Sequence, residues 1–222
     1  MLQEIAIFNN LSSDDLLKLE NNLIIKNFKK RKTIFNEGDE PLWSYFLLKG
    51  KVKISKSSAD GRDVVLEIID APDFFGTLAV IKGFPYPANA IAMEDCEVGK
   101  IKREIFLQIF NKYPELHSQL LHHITTRLKS GIDTLKNIAL EDVPSRIIHQ
   151  LFKLTTKYGK KLPDGVLIDL KLTKQELAEM AGTTTETAIR VISKLKKEGY
   201  IYENKHKIII KDINKLYDLI RN

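Results

Sequence analysis

Residues 172–197 read LTKQELAEMAGTTTETAIRVISKLKK, and this stretch holds two helix starts on either side of one glycine. Thr173 and the glutamate three residues later form a capping box, in which each side chain satisfies a free backbone N–H group of the first turn. Gly182 should end this helix, and Thr183 or Thr184 can cap the next one at once. The stretch therefore predicts a helix-turn-helix.

The second of these helices has two chemically different faces. The side chains expected to pack inward follow helical spacing and are Ala188, Val191, Ile192 and Leu195. Those expected to point outward are Glu186, Arg190, Lys194 and Lys197. A recognition helix meets base edges in this place, where an arginine can bond guanine and a carboxylate can accept from cytosine. Two alternatives stay open: Glu186 and Arg190 pair with each other on a solvated face, or Glu186 completes a second capping box.

The segment behind the helix-turn-helix extends the same interpretation. Residues 199–210 read GYIYENKHKIII and predict a two-stranded hairpin with a basic tip. A hairpin in this place is the wing of a winged-helix domain, and cations at the tip of a wing commonly hold phosphates. The predicted DNA-binding residues are Thr173, Thr184, Thr185, Glu186, Thr187, Ile189, Arg190, Lys194, Lys205 and Lys207.

The charge of the chain is unevenly distributed. The 222 residues carry a net charge of +6, with 43% hydrophobic and 29% charged residues, which is ordinary for a globular protein. Residues 1–140 hold 19 basic and 18 acidic residues, whereas residues 141–222 hold 16 and 11. The excess in the last third indicates a module that faces a polyanion, or only an uneven lysine-rich surface.

Composition also bears on the location of the protein. No stretch approaches the roughly 18 consecutive apolar residues that a membrane span needs, so no membrane association is expected. The N-terminus has no basic segment ahead of an apolar run, which argues against a signal peptide. Cys96 is the one cysteine, and this excludes an internal disulfide and a cysteine-rich metal site. We therefore expect a reducing, cytoplasmic setting.

The residue pattern of the N-terminal part changes at residue 33, from one typical of helices to one typical of strands. Residues 1–30 look helical, with serines that can cap a helix ahead of regularly spaced leucines. From Thr33 to Lys102, short runs rich in β-branched residues are separated by glycine-containing turns 11–15 residues apart. One of these turns, Asp60 followed by Gly61, suits a tight hairpin. The pattern predicts an antiparallel sandwich or jelly roll.

A long helix with a seven-residue apolar repeat is predicted after the strands. The predicted seam consists of Leu121, Ile124, Leu128, Gly131, Leu135 and Ile138. Such a repeat favours a coiled-coil dimer, although a helix packed on its own domain would give a similar stripe. Gly131 interrupts the seam, either as a soft point that lets the dimer helices shift or as a site of close packing. A helix break and hinge follow at residues 139–144.

These parts, in this order, resemble the transcription regulators related to the cyclic-AMP receptor protein and the fumarate–nitrate regulator, the CRP/FNR family. The segments that carry the resemblance, besides residues 173–201, are FNNLS at 8–12, IFNEGD at 34–39, YFLLKGKVKI at 45–54 and NIALEDVPSR at 137–146. The resemblance implies an α+β fold with a sensor jelly roll like a cyclic-nucleotide-binding domain at 1–115, a dimerisation helix at 116–140 and a winged helix-turn-helix at 141–222.

The resemblance also implies partners and base contacts. A homodimer would bind a two-fold-symmetric operator in double-stranded DNA and work with RNA polymerase. Glu186 and Arg190 match the pair that makes the principal base contacts in the family. Thr185 stands where cyclic-AMP receptors carry another arginine, and Ile189 stands where they carry glycine and the fumarate–nitrate type serine. The outer operator bases are therefore not implied by the resemblance.

The matching effector pocket departs from the cyclic-AMP pattern. The candidate residues are Gly76, Thr77, Leu78, Tyr86, Pro87, Gly131 and Ile132. Thr77 replaces the glutamate that takes the ribose hydroxyl, Tyr86 and Pro87 replace an arginine–serine pair, and Gly131 with Ile132 replaces threonine–serine. A buried phosphate without a cationic partner is costly, so cyclic AMP is not expected. The N-terminal cysteine cluster of the fumarate–nitrate type is absent as well, and the effector and any cofactor stay unknown.

Several other residues have a functional and an ordinary interpretation. His117, His122 and His123 could ligate haem or a metal, but a partly exposed helix surface explains them as well. Cys96 could be a redox switch or a small buried residue. The aromatic residues at 74–75 and 84–87 could line an apolar pocket or fill the core.

No nucleophile–base constellation and no phosphate-binding loop is present in the sequence, so we expect no enzyme. Two classes of function then compete. One is a dimeric, sequence-specific transcription regulator whose operator affinity responds to a signal at the sensor. The other is a ligand-binding module that signals through protein contacts. The basic surplus of residues 141–222 and the face of Glu186 and Arg190 favour the first.

Overall fold

In a computed structural model, which describes residues 1–58, 63–204 and 207–220, the chain forms two units. The first unit consists of Met1–Ser57 and Val65–Ser130. The second unit consists of Ser58–Val64 and Gly131–Asn222. Among the described helices, none combines the length and the apolar character that crossing a bilayer requires.

Eight strands build the N-terminal part of the fold. They are β1 Ile24–Phe28, β2 Thr33–Phe35, β3 Trp43–Lys49, β4 Lys51–Ser57, β5 Asp63–Asp70, β6 Asp73–Phe75, β7 Asn89–Ala92 and β8 Cys96–Lys102. They pair in two four-stranded sheets with the orders β1-β8-β3-β6 and β2-β7-β4-β5. Two four-stranded sheets with these crossovers are a jelly roll, which confirms the predicted class. The predicted turn at Asp60 and Gly61 lies outside the described residues.

Helices close one side of this jelly roll. They are α1 Ser13–Asn21, α2 Thr77–Lys82 and α3 Arg103–Lys112, preceded by 3-10 turns at Leu2–Glu4 and Ala6–Phe8. Ser12 caps α1, as its hydroxyl accepts from the backbone N–H of Asp15 at 3.3 Å. Lys112 and Tyr113, at the end of α3, both donate to the carboxylate of Asp15 and lower its pKa to about 2. These bonds join the two helices at the edge of a core that contains the fully buried Phe46.

The helix α4 covers Pro114–Leu140 and is followed by the winged part of the chain. The remaining elements are α5 Val143–Tyr158, β9 Gly159–Leu162, β10 Gly165–Ile168, α6 Lys174–Ala181, α7 Thr185–Lys197, β11 Ile201–Asn204, β12 Lys207–Ile210 and α8 Ile213–Asp218. Asp142 caps α5, and its carboxylate accepts from the N–H of Ser145 at 2.9 Å. The strands form one sheet in the order β11-β12-β10-β9. The predicted hairpin after the helix-turn-helix is therefore present and joins a larger sheet.

Candidate nucleic-acid interface and effector site

The turn between α6 and α7 has the geometry that the sequence predicts. The hydroxyl of Thr173 accepts from the N–H of Glu176 at 3.1 Å, and the Glu176 carboxylate accepts from the N–H of Thr173 at 2.8 Å. Gly182 ends α6 with φ at 60°, in the left-handed region that glycine tolerates. Thr173 is thus engaged as a cap, and its hydroxyl also donates to Glu176 at 2.9 Å.

The N-terminus of α7 is capped by Thr184 and not by Thr183. The hydroxyl of Thr184 accepts from the backbone N–H of Thr187 at 3.3 Å. Ala188, Ile192 and Leu195 are buried, which confirms the inward face predicted for these three positions. Val191 is only half-buried.

The outward face of α7 leaves two charged side chains accessible. Glu186 and Arg190 are exposed, and neither forms an ion pair with any residue that the structure describes. Glu186 and Arg190 therefore do not pair with each other, and Glu186 forms no second capping box at α7. One guanidinium nitrogen of Arg190 donates to Thr187 at 3.2 Å, which leaves four of its five N–H groups for a ligand.

The wing is fastened to the helix-turn-helix by ion pairs. Lys174 of α6 and Lys196 of α7 both contact the Glu203 carboxylate on β11, the second at 2.9 Å. Lys207 and Lys160 both contact Asp169, and these hydrogen bonds lower the pKa of Asp169 to about 2. Lys207, which the sequence assigns to a phosphate, thus shares the single carboxylate of Asp169 with Lys160. Lys205 lies outside the described residues.

This pairing predicts the effect of Asp169→Asn. Removing the carboxylate releases Lys160 and Lys207, and we expect tighter binding to random-sequence DNA. Each additional phosphate contact steepens the slope of log K against log salt by about 0.9. A salt series by fluorescence anisotropy at pH 7 measures the slope, with Asp169→Asn/Lys207→Gln as the matched control that should lose part of the gain. An unchanged slope in Asp169→Asn would show that neither lysine reaches DNA.

A cluster of aromatic rings fills the N-terminal jelly roll beside Gly76, a residue of the predicted effector pocket. The rings of Phe35 and Tyr86 stack with centroids 4.0 Å apart, and those of Tyr45 and Phe75 lie 5.5 Å apart. Tyr86 is 2% exposed, and its hydroxyl donates to the carbonyl of Trp43 at 2.5 Å. Burial raises the pKa of Tyr86, so the phenol is neutral. At these positions the ordinary interpretation of the aromatic residues as core is confirmed.

Gly76 of the predicted effector pocket is packed against the same rings. Gly76 has φ at 71°, and a Cβ atom there would lie 3.0 Å from a ring carbon of Tyr86. The hydroxyl of Thr77 is buried 2.8 Å from that of Ser44, so it is already hydrogen-bonded within the chain. Leu78 and Pro87 are exposed.

The two α4 residues assigned to the pocket lie in the second unit. Gly131 and Ile132 are exposed there, and a Cβ atom at Gly131 would meet no described atom within 4 Å. Close packing within the chain therefore does not explain Gly131.

A charged contact between α4 and the sensor strands could not be predicted from the sequence. Arg127 lies 2.9 Å from the Glu67 carboxylate of β5, and it donates to the carbonyl of Phe74 on β6 at 3.2 Å. His123, one turn earlier, lies 3.7 Å from Asp73 and packs on the ring of Phe74. Burial, then the charge of Arg127, lowers the pKa of His123. These contacts join α4 to β5 and β6, the two strands that precede Gly76 and Thr77 in the sequence.

The other reactive side chains have structural partners. His117 packs on Phe110 and lies 3.0 Å from its carbonyl. The thiol of Cys96 is buried and bonded to two backbone carbonyls, and burial raises its pKa, so a redox role has no support. Among the described residues, no group of three or more His, Cys, Asp or Glu side chains could hold a metal ion.

The exposed apolar stripe of α4 differs in part from the predicted seam. Leu121, Leu128, Ile132 and Leu135 are 65%, 62%, 57% and 67% exposed. Ile124 instead packs against the core of its own unit. Ile138 lies beside Gly182 but is still 39% exposed. The stripe thus follows the column of Leu121, Leu128 and Leu135 with Ile132 beside it. Ile124 alone among the predicted seam residues turns toward the core of its own unit.

A jelly roll, a long helix with an exposed apolar stripe and a winged helix-turn-helix with free polar side chains define a DNA-binding regulator with a sensor domain. Residues 25–113 match the family model of the cyclic nucleotide-binding domain, and residues 145–219 match that of the Crp-like helix-turn-helix domain. The chain belongs to the CRP/FNR family of transcription regulators, which are not enzymes. Regulators of this family bind DNA and act as dimers.

Similar proteins cover nearly the whole chain. The global nitrogen regulator of Synechocystis sp. is 30% identical over 207 residues, 92% of this chain and 90% of that protein. The CRP-like cAMP-activated global transcriptional regulator of Mycobacterium tuberculosis is 26% identical over 216 residues, 97% and 96% of the two chains. A solved CRP/FNR-family transcriptional regulator from Thermus thermophilus is 25% identical, with a TM-score of 0.71 over 90% of this chain and 99% of its own.

Proposed function

We propose that the protein is a cytoplasmic, homodimeric regulator that reads a two-fold-symmetric operator through Glu186 and Arg190 and works with RNA polymerase. The observation that carries this proposal is the accessible pair of Glu186 and Arg190 on the outer face of α7, free of each other. The guanidinium can bond the O6 and N7 atoms of guanine, and the carboxylate can accept from the N4 group of cytosine.

Other side chains of α7 position the protein on the phosphates. The side chain of Lys194 is 74% exposed, and its ammonium nitrogen lies 3.9 Å from the carboxylate of Glu198. This solvated ion pair is weak, so a phosphate can take the place of Glu198. Thr185 and Thr187 lie in the first turn, where hydroxyl and backbone N–H groups commonly bind phosphate. The N–H of Thr187 is already bonded to Thr184, so Thr187 can offer only its hydroxyl. We assign a further phosphate contact to Lys205 from its position in the sequence alone. These contacts add affinity but no sequence preference.

The apolar stripe of α4 supports the symmetric arrangement. Leu121, Leu128 and Leu135 are spaced at heptads and would be buried by the same stripe of a second copy. A dimer of helix-turn-helix domains binds two half-sites whose centres are about 34 Å, one helical turn, or a multiple of it apart. We therefore expect an inverted repeat.

The experiment that tests this function is selection of bound duplexes from a random-sequence pool. The expected result is an inverted repeat with a guanine in each half-site whose preference depends on Arg190. Recovery of sequences without a repeat would contradict the proposal. The matched control is Arg190→Ala, which should select the same repeat with that guanine relaxed.

We propose further that the signal at the sensor is not cyclic AMP. Tyr86 occupies the interior where the resemblance places the arginine for the cyclic phosphate, and Thr77 bonds to Ser44 where a ribose partner is needed. A buried phosphate without a cationic partner is strongly unfavourable.

The corresponding prediction is that millimolar cyclic AMP neither binds nor raises operator affinity. Isothermal titration calorimetry measures the binding, and the cAMP-activated relative from Mycobacterium tuberculosis provides the positive control. Stoichiometric binding of cyclic AMP to this chain at micromolar concentration would refute the prediction.

A further inference from the structure

The recognition helix presents one apolar side chain on its DNA-facing surface. Ile189 is 46% exposed, and it follows Glu186 by three residues and directly precedes Arg190. Thr185 and Ser193 lie four residues before and after it, on the same helix face. The buried face of α7 lies elsewhere, at Ala188, Ile192 and Leu195. Ile189 therefore lies among the side chains that meet the bases.

Chemistry restricts what Ile189 can recognise in that place. An aliphatic side chain has no hydrogen-bond donor or acceptor, so it gains nothing from the polar edges of guanine, cytosine or adenine. Among the groups that bases present in the major groove, the C5-methyl group of thymine is the apolar one. Burial of the isoleucine against that methyl group removes apolar surface from water on both sides.

An exposed aliphatic residue alone is common on protein surfaces and indicates nothing. The position is what makes Ile189 informative, because its neighbours Glu186 and Arg190 are both exposed and free to bond base edges. An isoleucine is also less favourable than alanine or lysine in an exposed helix, so its cost to the free protein is offset only when a ligand covers it.

We infer that Ile189 reads the 5-methyl group of one thymine in each half-site, beside the base pair read by Arg190. The inference rests on the proposed function, in which α7 enters the major groove. It assigns a thymine to an operator position that Glu186 and Arg190 do not specify.

The test is a uracil-for-thymine scan of the selected operator, since uracil lacks only the methyl group and pairs in the same way. Each half-site should contain one thymine that is sensitive to this change. Uracil at that position in one half-site should lower wild-type affinity about fourfold, the equivalent of ~0.8 kcal/mol for one methyl-sized group. Changing both half-sites should lower it about 15-fold. Fluorescence anisotropy at fixed salt measures each affinity.

Two variants assign the effect to this side chain. Ile189→Ser should bind thymine and uracil at that position equally, whereas Ser193→Ala, an exposed neighbour on the same face, should keep the fourfold difference. The inference is overturned when wild type shows no uracil-sensitive thymine, or when Ile189→Ser is as sensitive as wild type. A pool that yields no operator would contradict the proposed function itself, so the two failures are distinguishable.

Discussion

Replacing Arg190 by alanine is expected to weaken operator binding by about 1–3 kcal/mol per half-site, the loss typical of one bidentate arginine–guanine contact. The guanidinium is exposed and, among the described residues, donates only to Thr187, so its removal leaves the helix cap intact. The variant should also lose its preference for one guanine in each half-site. Anisotropy titrations on the operator and on single-base variants measure both effects.

Lys194→Ala is the matched control for this prediction. Lys194 is one turn further along α7 and should contact phosphate, so its loss should weaken operator and random DNA by the same factor. Arg190→Lys should bind less tightly than wild type but keep part of the guanine preference, because an ammonium group can donate to O6 and N7 without the fixed planar fork of a guanidinium. If Arg190→Ala weakened both kinds of DNA in the same ratio, Arg190 would not read a base.

The second large effect is expected from a charge placed in the apolar stripe of α4. In the proposed dimer, Leu128→Glu or Leu135→Glu would bury two carboxylates against each other, which is strongly unfavourable. The variant should be monomeric and should lose operator binding, because a single winged helix contacts only half of the site. Sedimentation equilibrium and operator titrations check the two parts of this prediction.

Lys129→Glu serves as the control, since residue 129 is exposed and lies beside the stripe on the polar side of α4. It should remain dimeric despite the same new side chain. A Leu128→Glu variant that stays dimeric at micromolar concentration would show that the stripe is not the interface.

The sequence predicted the secondary structure around α6 and α7 because the signals there are local. The capping box of Thr173 with Glu176, the left-handed Gly182 and the cap at Thr184 all act within a few residues. Glycine-bearing turns predicted the jelly roll for the same reason. Periodicity alone did not distinguish Ile124 from Ile132, because both follow three- and four-residue steps from the leucines. Burial decided between them.

The features that could not be predicted from the sequence depend on contacts between residues that are far apart in the chain. Lys207 contacts Asp169, 38 residues earlier, and the local sequence does not indicate this pairing. Arg127 reaches Phe74, 53 residues away, and only the fold brings the two together. The sequence favoured a core position for Tyr86 over a pocket wall, and its stacking on the ring of Phe35, 51 positions earlier in the chain, shows which rings surround it. Burial and long-range pairing, which determine whether a side chain is available, are properties of the tertiary structure.

The proposed dimer reads a symmetric DNA sequence through α7. The most direct measurement is a salt series of wild-type binding to three duplexes: the selected inverted repeat, one half-site and random sequence. We expect log K to fall linearly with log salt for each duplex, and the repeat to be bound at least about a thousandfold more tightly than random DNA at every salt concentration. Equal affinity for the three duplexes, or binding that does not respond to salt, would contradict this expectation.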